Sequence, residues 1–388
     1  MRVLCKDVRK VVSLHHVNHS STSIIMKKIA LFLLSLLSLH SQAVTLPLKG
    51  NVIKPSNPNI QYIGRVSMKD GNVARFNFPG TQIIASFEGT SLKMIARPES
   101  GYFMAQIDRG APFKVSFNAK KDSVVTLATA LADGRHTVRL MYIIEGLFRQ
   151  PEFHGFILDE GCSLTAPPSL PERKIEFIGN SITCGYGVES ITMDDTFEDE
   201  TENHYYTYAT LTAQALNAQH TAIARSGIGV YRNYDGPKTG NKENMPWQYE
   251  YTLFNQHDEP WDFSRYQPQL VCINLGTNDL STNNYDIKLY EKAYRGFLKM
   301  VRQHYPQAKI VLLTGPMLGE KEASLQRKVL DGIQSDYAKA GDKEVYRFDF
   351  TFQTGDLMYG ASWHPSYWQH QKMAGELVAF LRPLMNWY

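Results

Sequence analysis

The chain has 388 residues, of which 43% are hydrophobic and 20% charged, and its formal net charge is +3. This length is sufficient for two domains of ordinary size, each with a buried core. The small net charge and the dispersed basic residues exclude the extended basic surface that nucleic acids and anionic membranes require.

The first residues with a clear pattern predict an export signal at 26–43. Residues 26–28 begin it with two lysines, residues 29–37 are an apolar run, and Ser41 and Ala43 give a small-x-small cleavage site. The apolar run is shorter than the roughly 20 residues of a membrane-spanning helix, so we expect no membrane anchor. Residues 1–25 are interpreted as an upstream extension, and the protein is expected in the periplasm or outside the cell.

Residues 44–165 alternate apolar and polar side chains over short runs, for example at 74–78 and 138–142. Turn signals separate these runs at 69–71, 108–110 and 132–134. A period of two indicates antiparallel strands with one buried face, and several short strands of this kind favour a β-sandwich. The proline-rich segment 166–171 is then a stiff linker.

Residues 172–388 alternate apolar strand-like runs with helical segments. Strands are predicted at 175–178, 220–224, 270–275, 310–314 and 346–350, and helices at 205–218 and 287–304. This alternation predicts an α/β domain with a parallel sheet between two layers of helices. Such sheets bind ligands at the carboxyl ends of their strands.

Three polar segments in this region combine into one chemistry. Ser181 follows the first strand, Asn278 follows the third, and His364 precedes the last helical segment. A serine hydroxyl becomes a strong nucleophile when an imidazole accepts its proton, and ester attack needs donors for the developing oxyanion. A serine at such a turn is more often only a helix cap, so the prediction depends on the three segments together.

On these segments the chain resembles the SGNH (GDSL-like) hydrolases and, among them, the enzymes of carbohydrate esterase family 2. Gly179-Asn180-Ser181 fits the first family block, and residues 182–187 continue it with the family 2 pattern I-T-C-G-Y-G. Gly227 matches the second block, 276–279 the third (G-x-N-D), and His364-Pro365 the last. The resemblance implies a flavodoxin-like three-layer catalytic domain preceded by a jelly-roll sandwich.

The resemblance also implies the roles of these residues. Ser181 and His364 are the expected catalytic pair, and the oxyanion hole consists of the Ser181 and Gly227 backbone N–H groups and the Asn278 amide. A glycine at 227 suits close approach of the backbone to a ligand. Tyr186 and Trp363 are candidate substrate-binding residues because flat rings fit the apolar faces of sugars, although aromatic residues also fill cores. No metal or other cofactor is expected.

The sequence departs from the superfamily pattern next to the histidine. Most members carry an aspartate two or three residues before it, but this chain has Ser362 and Ala361 there. Some family 2 esterases use a backbone carbonyl instead, and any acceptor at the far ring nitrogen fixes the tautomer. Asp356 is an alternative partner, although it also fits an ordinary turn.

Other polar residues are predicted to be structural. Asp279 is expected to order its loop through backbone N–H groups. His204, His257 and His370 are predicted at the surface or at helix caps, and the acidic stretch 194–202 as a solvated loop. Cys184 is predicted to pack in the core, and one disulfide among Cys162, Cys184 and Cys272 stays open.

The sequence therefore predicts an exported serine esterase that removes acetyl groups from plant polysaccharides of the xylan, mannan or glucan type, or from their oligosaccharides. The expected partner is that substrate, with no nucleic acid, membrane or obligate protein partner. One alternative is a general lipid or aryl esterase of the same superfamily. A second is a carbohydrate-binding protein of low activity, which the missing aspartate favours.

Overall fold

The computed structural model describes residues 49–121 and 123–388. The predicted upstream extension and export signal lie outside these residues. Within them, no helix is long and apolar enough to cross a membrane. The described chain begins with two antiparallel sheets and continues with a parallel sheet covered by helices, so the predicted fold class is confirmed.

The first sheet of the N-terminal region has the strand order β1-β10-β5-β8, with β3 paired to β10. Its strands are β1 (Asn51–Ile53), β3 (Ala74–Arg75), β5 (Leu92–Ala96), β8 (Val124–Ala128) and β10 (Glu152–Leu158). The second sheet has the order β11-β4-β9-β6-β7, with β2 paired to β4. Its strands are β2 (Ile60–Ile63), β4 (Gln82–Glu88), β6 (Gly101–Ile107), β7 (Phe113–Phe117), β9 (Arg135–Tyr142) and β11 (Leu164–Thr165).

The inner faces of these two sheets share one hydrophobic core. In β5 the burial alternates along the strand, as expected for a sheet with one buried face. The aromatic rings of Phe76, Phe103 and Tyr142 meet in this core with centroids 5.3–6.1 Å apart. The antiparallel sandwich predicted for this region is therefore present.

The C-terminal region contains a five-stranded parallel sheet of order β13-β12-β16-β17-β18. Its strands are β12 (Arg173–Gly179), β13 (Ala218–Ala224), β16 (Leu270–Asn274), β17 (Lys309–Thr314) and β18 (Val345–Asp349), and a separate hairpin joins β14 (Tyr251–Leu253) and β15 (Gln256–Pro260). All five parallel strands were predicted within a few residues. Strand β16 is buried at every position because helices cover both faces of the sheet.

The helices connect these strands. They are α1 (Ser181–Cys184), α2 (Tyr208–Ala215), α3 (Met245–Tyr249), α4 (Thr277–Leu280), α5 (Ile287–His304), α6 (Glu320–Lys339) and α7 (Tyr367–Met385). Helix α5 has the predicted bounds and is capped by Asp286, whose side chain accepts the backbone N–H groups of Lys288 and Leu289. Helix α2 is shorter than predicted because its first residues form a separate 3₁₀ turn.

The sandwich packs directly against the parallel-sheet region, and Lys49–Tyr388 forms one compact unit. Ile63, Phe78 and Ile84 of the sandwich share a hydrophobic core with Ile178 and Ile223 of the parallel sheet. Residues 166–172, between β11 and β12, carry no strand or helix. The sandwich is therefore close enough to contribute side chains to sites in the other region.

Candidate active site

Ser181 is the first residue of the short helix α1, directly after strand β12. The Asn180 side chain caps this helix by accepting the Ile182 N–H at 3.1 Å. Gly179 is needed before the cap, because a Cβ there would lie 2.0 Å from the Thr183 hydroxyl oxygen. The sharp turn from strand to helix therefore presents Ser181 at the carboxyl edge of the sheet.

The Ser181 hydroxyl oxygen lies 2.9 Å from His364 Nε2. The other ring nitrogen, Nδ1, lies 3.0 Å from the Ala361 carbonyl oxygen. A carbonyl only accepts, so Nδ1 carries the hydrogen and Nε2 is free to accept the serine proton. Asp356, the alternative partner, instead accepts a hydrogen bond from the Thr354 hydroxyl at 2.8 Å. Among the described residues, the acceptor for Nδ1 is therefore the Ala361 carbonyl.

The environment of His364 favours the neutral imidazole. Burial lowers the pKa of His364 to about 4, against the opposing effect of the Ala361 carbonyl. The Tyr186 ring stacks on the imidazole with centroids 4.0 Å apart and an interplanar angle of 21°. The base form of this histidine is therefore available at neutral pH.

The loop before His364 has an unusual backbone. Ser362 and Trp363 both adopt left-handed conformations, with φ of 50° and 65°, which cost about 1–2 kcal/mol each for such residues. The Ser362 N–H donates to the Asp195 carbonyl at 3.1 Å, and the Ala361 N–H donates to the Gly187 carbonyl at 3.2 Å. These contacts hold the strained loop so that the Ala361 carbonyl faces the imidazole.

The residues predicted for the oxyanion hole (Ser181, Gly227 and Asn278) line one cavity with His364. This cavity of about 440 Å³ is lined by Ser181, Tyr186, Ser226, Gly227, Tyr234, Thr277, Asn278, Ser281, Met317, Ser362 and His364. A Cβ on Gly227 would meet only the Tyr234 Cβ, at 4.0 Å, so this backbone is open to the cavity. The Asn278 amide donates one hydrogen to the Ile228 carbonyl at 2.8 Å, which fixes its orientation beside Gly227.

The parallel register explains why these residues converge. Gly179 of β12 lies opposite Ala224 of β13 and Asn274 of β16. The three strands therefore end at the same level, and the segments that carry Ser181, Gly227 and Asn278 leave the sheet at one edge.

Asp279 orders the neighbouring loop. Its carboxylate accepts the backbone N–H groups of Val230, Tyr231 and Arg232 at 2.8–3.0 Å. Burial raises the pKa of Asp279 to about 6, while these three hydrogen bonds oppose the rise. The structural role predicted for Asp279 is confirmed.

The two candidate substrate-binding aromatic residues have different environments. Tyr186 lines the cavity, but one face of its ring is covered by His364. Trp363 is 54% exposed and packs against Tyr359 with ring centroids 5.3 Å apart. Trp363 is therefore not among the residues that line the cavity with Ser181, although it directly precedes His364 in the sequence.

Two of the three histidines predicted at the surface or at helix caps are buried, so the surface alternative is wrong for them, whereas both contact the end of a helix. His204 is 0% exposed and His370 is 1% exposed. The His204 Nδ1 lies 2.7 Å from the Thr183 carbonyl in helix α1, and His370 Nδ1 accepts the Tyr208 N–H at 3.1 Å. His257 is half-buried and packs on Trp247. The sequence carries no marker of this burial, because the partners are distant along the chain.

The acidic stretch 194–202 is likewise only partly solvated. Glu202 is 0% exposed, and burial raises its pKa well above the usual value. Among the described residues, Glu145, Cys184 and Glu202 bring their side-chain oxygen and sulfur atoms within 4.8 Å of one another. The prediction of a solvated loop is therefore wrong at Glu202.

The cysteines of the described residues form no disulfide. Cys184 and Cys272 are both 0% exposed, so the predicted burial of Cys184 is confirmed. Its sulfur also lies 3.6 Å from a Glu145 carboxyl oxygen, a contact that the sequence does not indicate.

Comparison with known proteins places the two regions in one family. Residues 177–372 match the GDSL-like Lipase/Acylhydrolase family model, which defines the class of the catalytic region. Residues 62–168 match the model described as Carbohydrate esterase 2 N-terminal. The chain belongs to carbohydrate esterase family 2.

Two curated relatives illustrate the match. The chain is 30% identical over 346 residues to an acetylxylan esterase / glucomannan deacetylase of Cellvibrio japonicus, and the match covers 87% of this chain and 92% of that protein. It is 38% identical over 333 residues to the cellulase/esterase CelE of Acetivibrio thermocellus, which covers 85% of this chain. The chain spans 40% of the length of CelE.

Solved structures agree with this assignment. A family two carbohydrate esterase from Clostridium thermocellum, in complex with cellohexaose, is 37% identical with a TM-score of 0.79, covering 85% of this chain and 100% of that one. A family two carbohydrate esterase from Cellvibrio japonicus is 27% identical with a TM-score of 0.79, covering 87% and 99%.

Proposed function

We propose that this protein is a serine esterase that removes O-acetyl groups from plant polysaccharides or their oligosaccharides. The observation that carries the proposal is the pair of contacts at His364, with Ser181 Oγ 2.9 Å from Nε2 and the Ala361 carbonyl 3.0 Å from Nδ1. Relatives named acetylxylan esterase / glucomannan deacetylase support the choice of substrate.

The first half of the reaction forms an acetyl-enzyme. Ser181 Oγ attacks the acetyl carbonyl carbon while His364 Nε2 accepts the serine proton. The imidazolium that forms is held by its Nδ1–H bond to Ala361. It then donates the Nε2 proton to the sugar oxygen as the ester bond breaks, and the deacetylated sugar leaves.

Negative charge on the former carbonyl oxygen is stabilised by the Ser181 and Gly227 backbone N–H groups and by the second hydrogen of the Asn278 amide. Neither backbone group donates to an acceptor among the described residues. Removal of one such donor costs about 2.7–4 kcal/mol in another serine hydrolase. This arrangement requires Asn278 to keep the orientation that its bond to Ile228 sets.

The second half of the reaction returns the enzyme. A water molecule loses a proton to His364 and attacks the acetyl group, and acetate leaves Ser181 as the serine recovers that proton. A sugar hydroxyl in place of water gives transacetylation. These steps use only side chains, backbone N–H groups and water.

Acetyl esters on primary hydroxyl groups are the expected substrates. The cavity of about 440 Å³ accommodates a small acyl group and the sugar atoms beside it, with Tyr186 in its wall. The exposed Trp363 precedes His364 in the sequence and is the candidate for contact with a longer glycan. We expect acetyl esters to react faster than butyryl or octanoyl esters, whereas a general lipid or aryl esterase would favour or tolerate the longer chains.

Domain bounds and location are part of the same proposal. We assign a jelly-roll domain to 44–165, a linker to 166–171 and the catalytic domain to 172–388, and we propose export on the pattern of residues 26–43.

The decisive experiment measures acetate release from 4-nitrophenyl acetate, acetylated xylan and acetylated glucomannan. Ser181→Ala and His364→Ala should each reduce kcat by about 10³-fold or more. Ser264→Ala, an exposed serine that bonds only its neighbour Asp262, is the matched control and should have wild-type activity. Equal rates in the wild type and in Ser181→Ala would overturn the proposal.

A glycan-binding protein with slow turnover is the second candidate. It is favoured by the neutral carbonyl at Nδ1, since a carbonyl stabilises an imidazolium less than a carboxylate does. A 27% identical structure with a TM-score of 0.71 is described as having an active site with divergent catalytic and non-catalytic binding functions. Isothermal titration with cellohexaose, alongside the assay above, separates binding without turnover from catalysis.

A further inference from the structure

The Glu145 side chain of the sandwich contacts both the helix that Ser181 begins and the loop that carries Gly227. Glu145 follows strand β9 of the sandwich and is only 4% exposed. Its Oε2 accepts the Ser226 backbone N–H at 2.5 Å, and Ser226 directly precedes Gly227. The same oxygen lies 3.6 Å from Cys184 Sγ, at the end of the helix that Ser181 begins.

Glu145 is itself held firmly. Its backbone N–H donates to Glu202 Oε2 at 2.9 Å, and the preceding carbonyl of Ile143 in the same sandwich loop accepts the His204 N–H at 2.8 Å. The segment 143–145 is thus bound to the catalytic region at several points. A rigid backbone under Glu145 gives its carboxyl a fixed position.

We propose that Glu145 is a positioning residue for the esterase reaction, fastening the nucleophile helix and the oxyanion loop to each other through one carboxyl oxygen. The Glu145 carboxyl oxygen accepts the Ser226 N–H and thereby fixes the orientation of that peptide group. The position of the next N–H along the chain, that of Gly227, depends on this orientation. The inference rests on the proposed function, because it gives the sandwich domain a part in that site.

The function of Glu145 here is to accept hydrogen bonds, which a carboxamide oxygen also does. The other charged and titratable groups around it are Glu202, Cys184 and Arg225. Glu145→Gln keeps an acceptor for Ser226 and should therefore keep the loop in place. Glu145→Leu has similar size and no acceptor, so it leaves the Ser226 amide unsatisfied.

The test compares kcat and KM of the two variants with 4-nitrophenyl acetate. A misplaced catalytic group costs up to about 100-fold in rate, so we expect Glu145→Leu to lower kcat by about 10- to 100-fold with KM changed by less than about 3-fold. Glu145→Gln should stay within about 3-fold of wild type. Equal losses in both variants, or none in Glu145→Leu, would overturn the proposal.

Two further measurements separate positioning from general destabilisation. Ser67→Ala removes another hydrogen bond between the sandwich and the catalytic region, to Glu259, and contacts none of the residues that line the cavity. It should lower the melting temperature without changing kcat. The metal content of the purified wild type should be far below one ion per chain, because a stoichiometric ion at Glu145, Cys184 and Glu202 would replace our interpretation with a metal site.

Hydrogen exchange gives a readout that does not depend on esterase activity. Peptides that cover 181–187 and 224–234 should exchange faster in Glu145→Leu than in wild type, and at the wild-type rate in Glu145→Gln and Ser67→Ala. Unchanged exchange of both segments in folded Glu145→Leu contradicts the inference even if the wild type hydrolyses no ester. An inactive wild type with the expected exchange pattern contradicts only the proposed function.

Discussion

The two members of the proposed catalytic pair are positioned by different kinds of structure. Ser181 follows a buried strand whose register with its two neighbours is regular, and the helix it begins is held by Tyr208 through Thr183 Oγ1 at 2.9 Å. His364 lies in a loop with two left-handed residues that is held by backbone contacts to Gly187 and Asp195. The nucleophile thus depends on the sheet, and the base depends on close packing of a strained loop.

Among changes to the structure that positions the two residues, the largest effect is expected where this loop meets Gly187. A Cβ at Gly187 would lie 2.7 Å from the Ala361 nitrogen and 2.4 Å from its Cβ, and Gly187 has φ of +57°. Gly187→Ala should therefore displace the carbonyl that orients His364 and lower kcat by about 100-fold, measured with 4-nitrophenyl acetate.

The matched control is Gly375→Ala in the middle of helix α7, where a Cβ meets nothing within 4 Å. It should keep wild-type kcat and gain about 0.5–1 kcal/mol of stability, the usual preference of a helix for alanine over glycine. A folded Gly187→Ala variant with wild-type kcat would show that the histidine loop does not depend on this packing.

Acid should lower the stability of the region that positions Ser181, because this region contains buried histidines. Burial lowers the pKa of His204 to about 4, and it also lowers the pKa of His220 and His370. The unfolded chain takes up these protons near pH 6.5 and the folded chain does not, so stability falls as the pH drops from about 6.5 towards 4. For His204, with its pKa of about 4, the cost is about 2 kcal/mol at pH 5.

Urea denaturation at pH 7.5 and pH 5 measures this loss of free energy of unfolding. His204→Gln removes a titrating group but keeps a donor for the Thr183 carbonyl, so the variant should be less stable at pH 7.5 and lose less on acidification than wild type. Equal wild-type stability at both pH values would contradict the prediction.

The base itself should remain active in moderately acidic solution. With a pKa of about 4 for His364, kcat/KM should fall only below about pH 5, because protonation of Nε2 removes the general base. A histidine with the ordinary pKa of about 6.5 would keep about 10% of the activity at pH 5.5. Initial rates from pH 4 to 8, taken before any unfolding, distinguish these profiles.

The difference between the positioning of Ser181 and that of His364 also explains which features of the site could be predicted from the sequence. The apolar runs and the residues after them located the strands, and the aligned strand ends bring Ser181, Gly227 and Asn278 to one cavity. The acceptor at Ala361 has no such signal, since it depends on two left-handed residues and on a glycine about 170 residues away. Glu145 and the buried His204 were hidden for the same reason, because their environments are made by partners distant in sequence.

The smallest effect is expected from restoring the aspartate that most related hydrolases carry. The Ser362 hydroxyl oxygen lies 3.2 Å from the Asp195 carbonyl and 3.4 Å from the Tyr186 hydroxyl, whereas His364 Nδ1 is occupied by Ala361. In Ser362→Asp the new carboxylate faces the Asp195 carbonyl, so kcat should change by less than about 3-fold and the pH profile should keep its acid limb, as in the neutral control Ser362→Asn.

A higher kcat together with a raised pKa of His364 would mean that the carboxylate has reached Nδ1, and that the loop is less firmly held than its contacts with Gly187 and Asp195 imply. Since the Ser362 hydroxyl contacts the Asp195 carbonyl and the Tyr186 hydroxyl while the Ala361 carbonyl occupies Nδ1, the Ala361 carbonyl and an aspartate at 362 are alternative solutions that require different loop conformations.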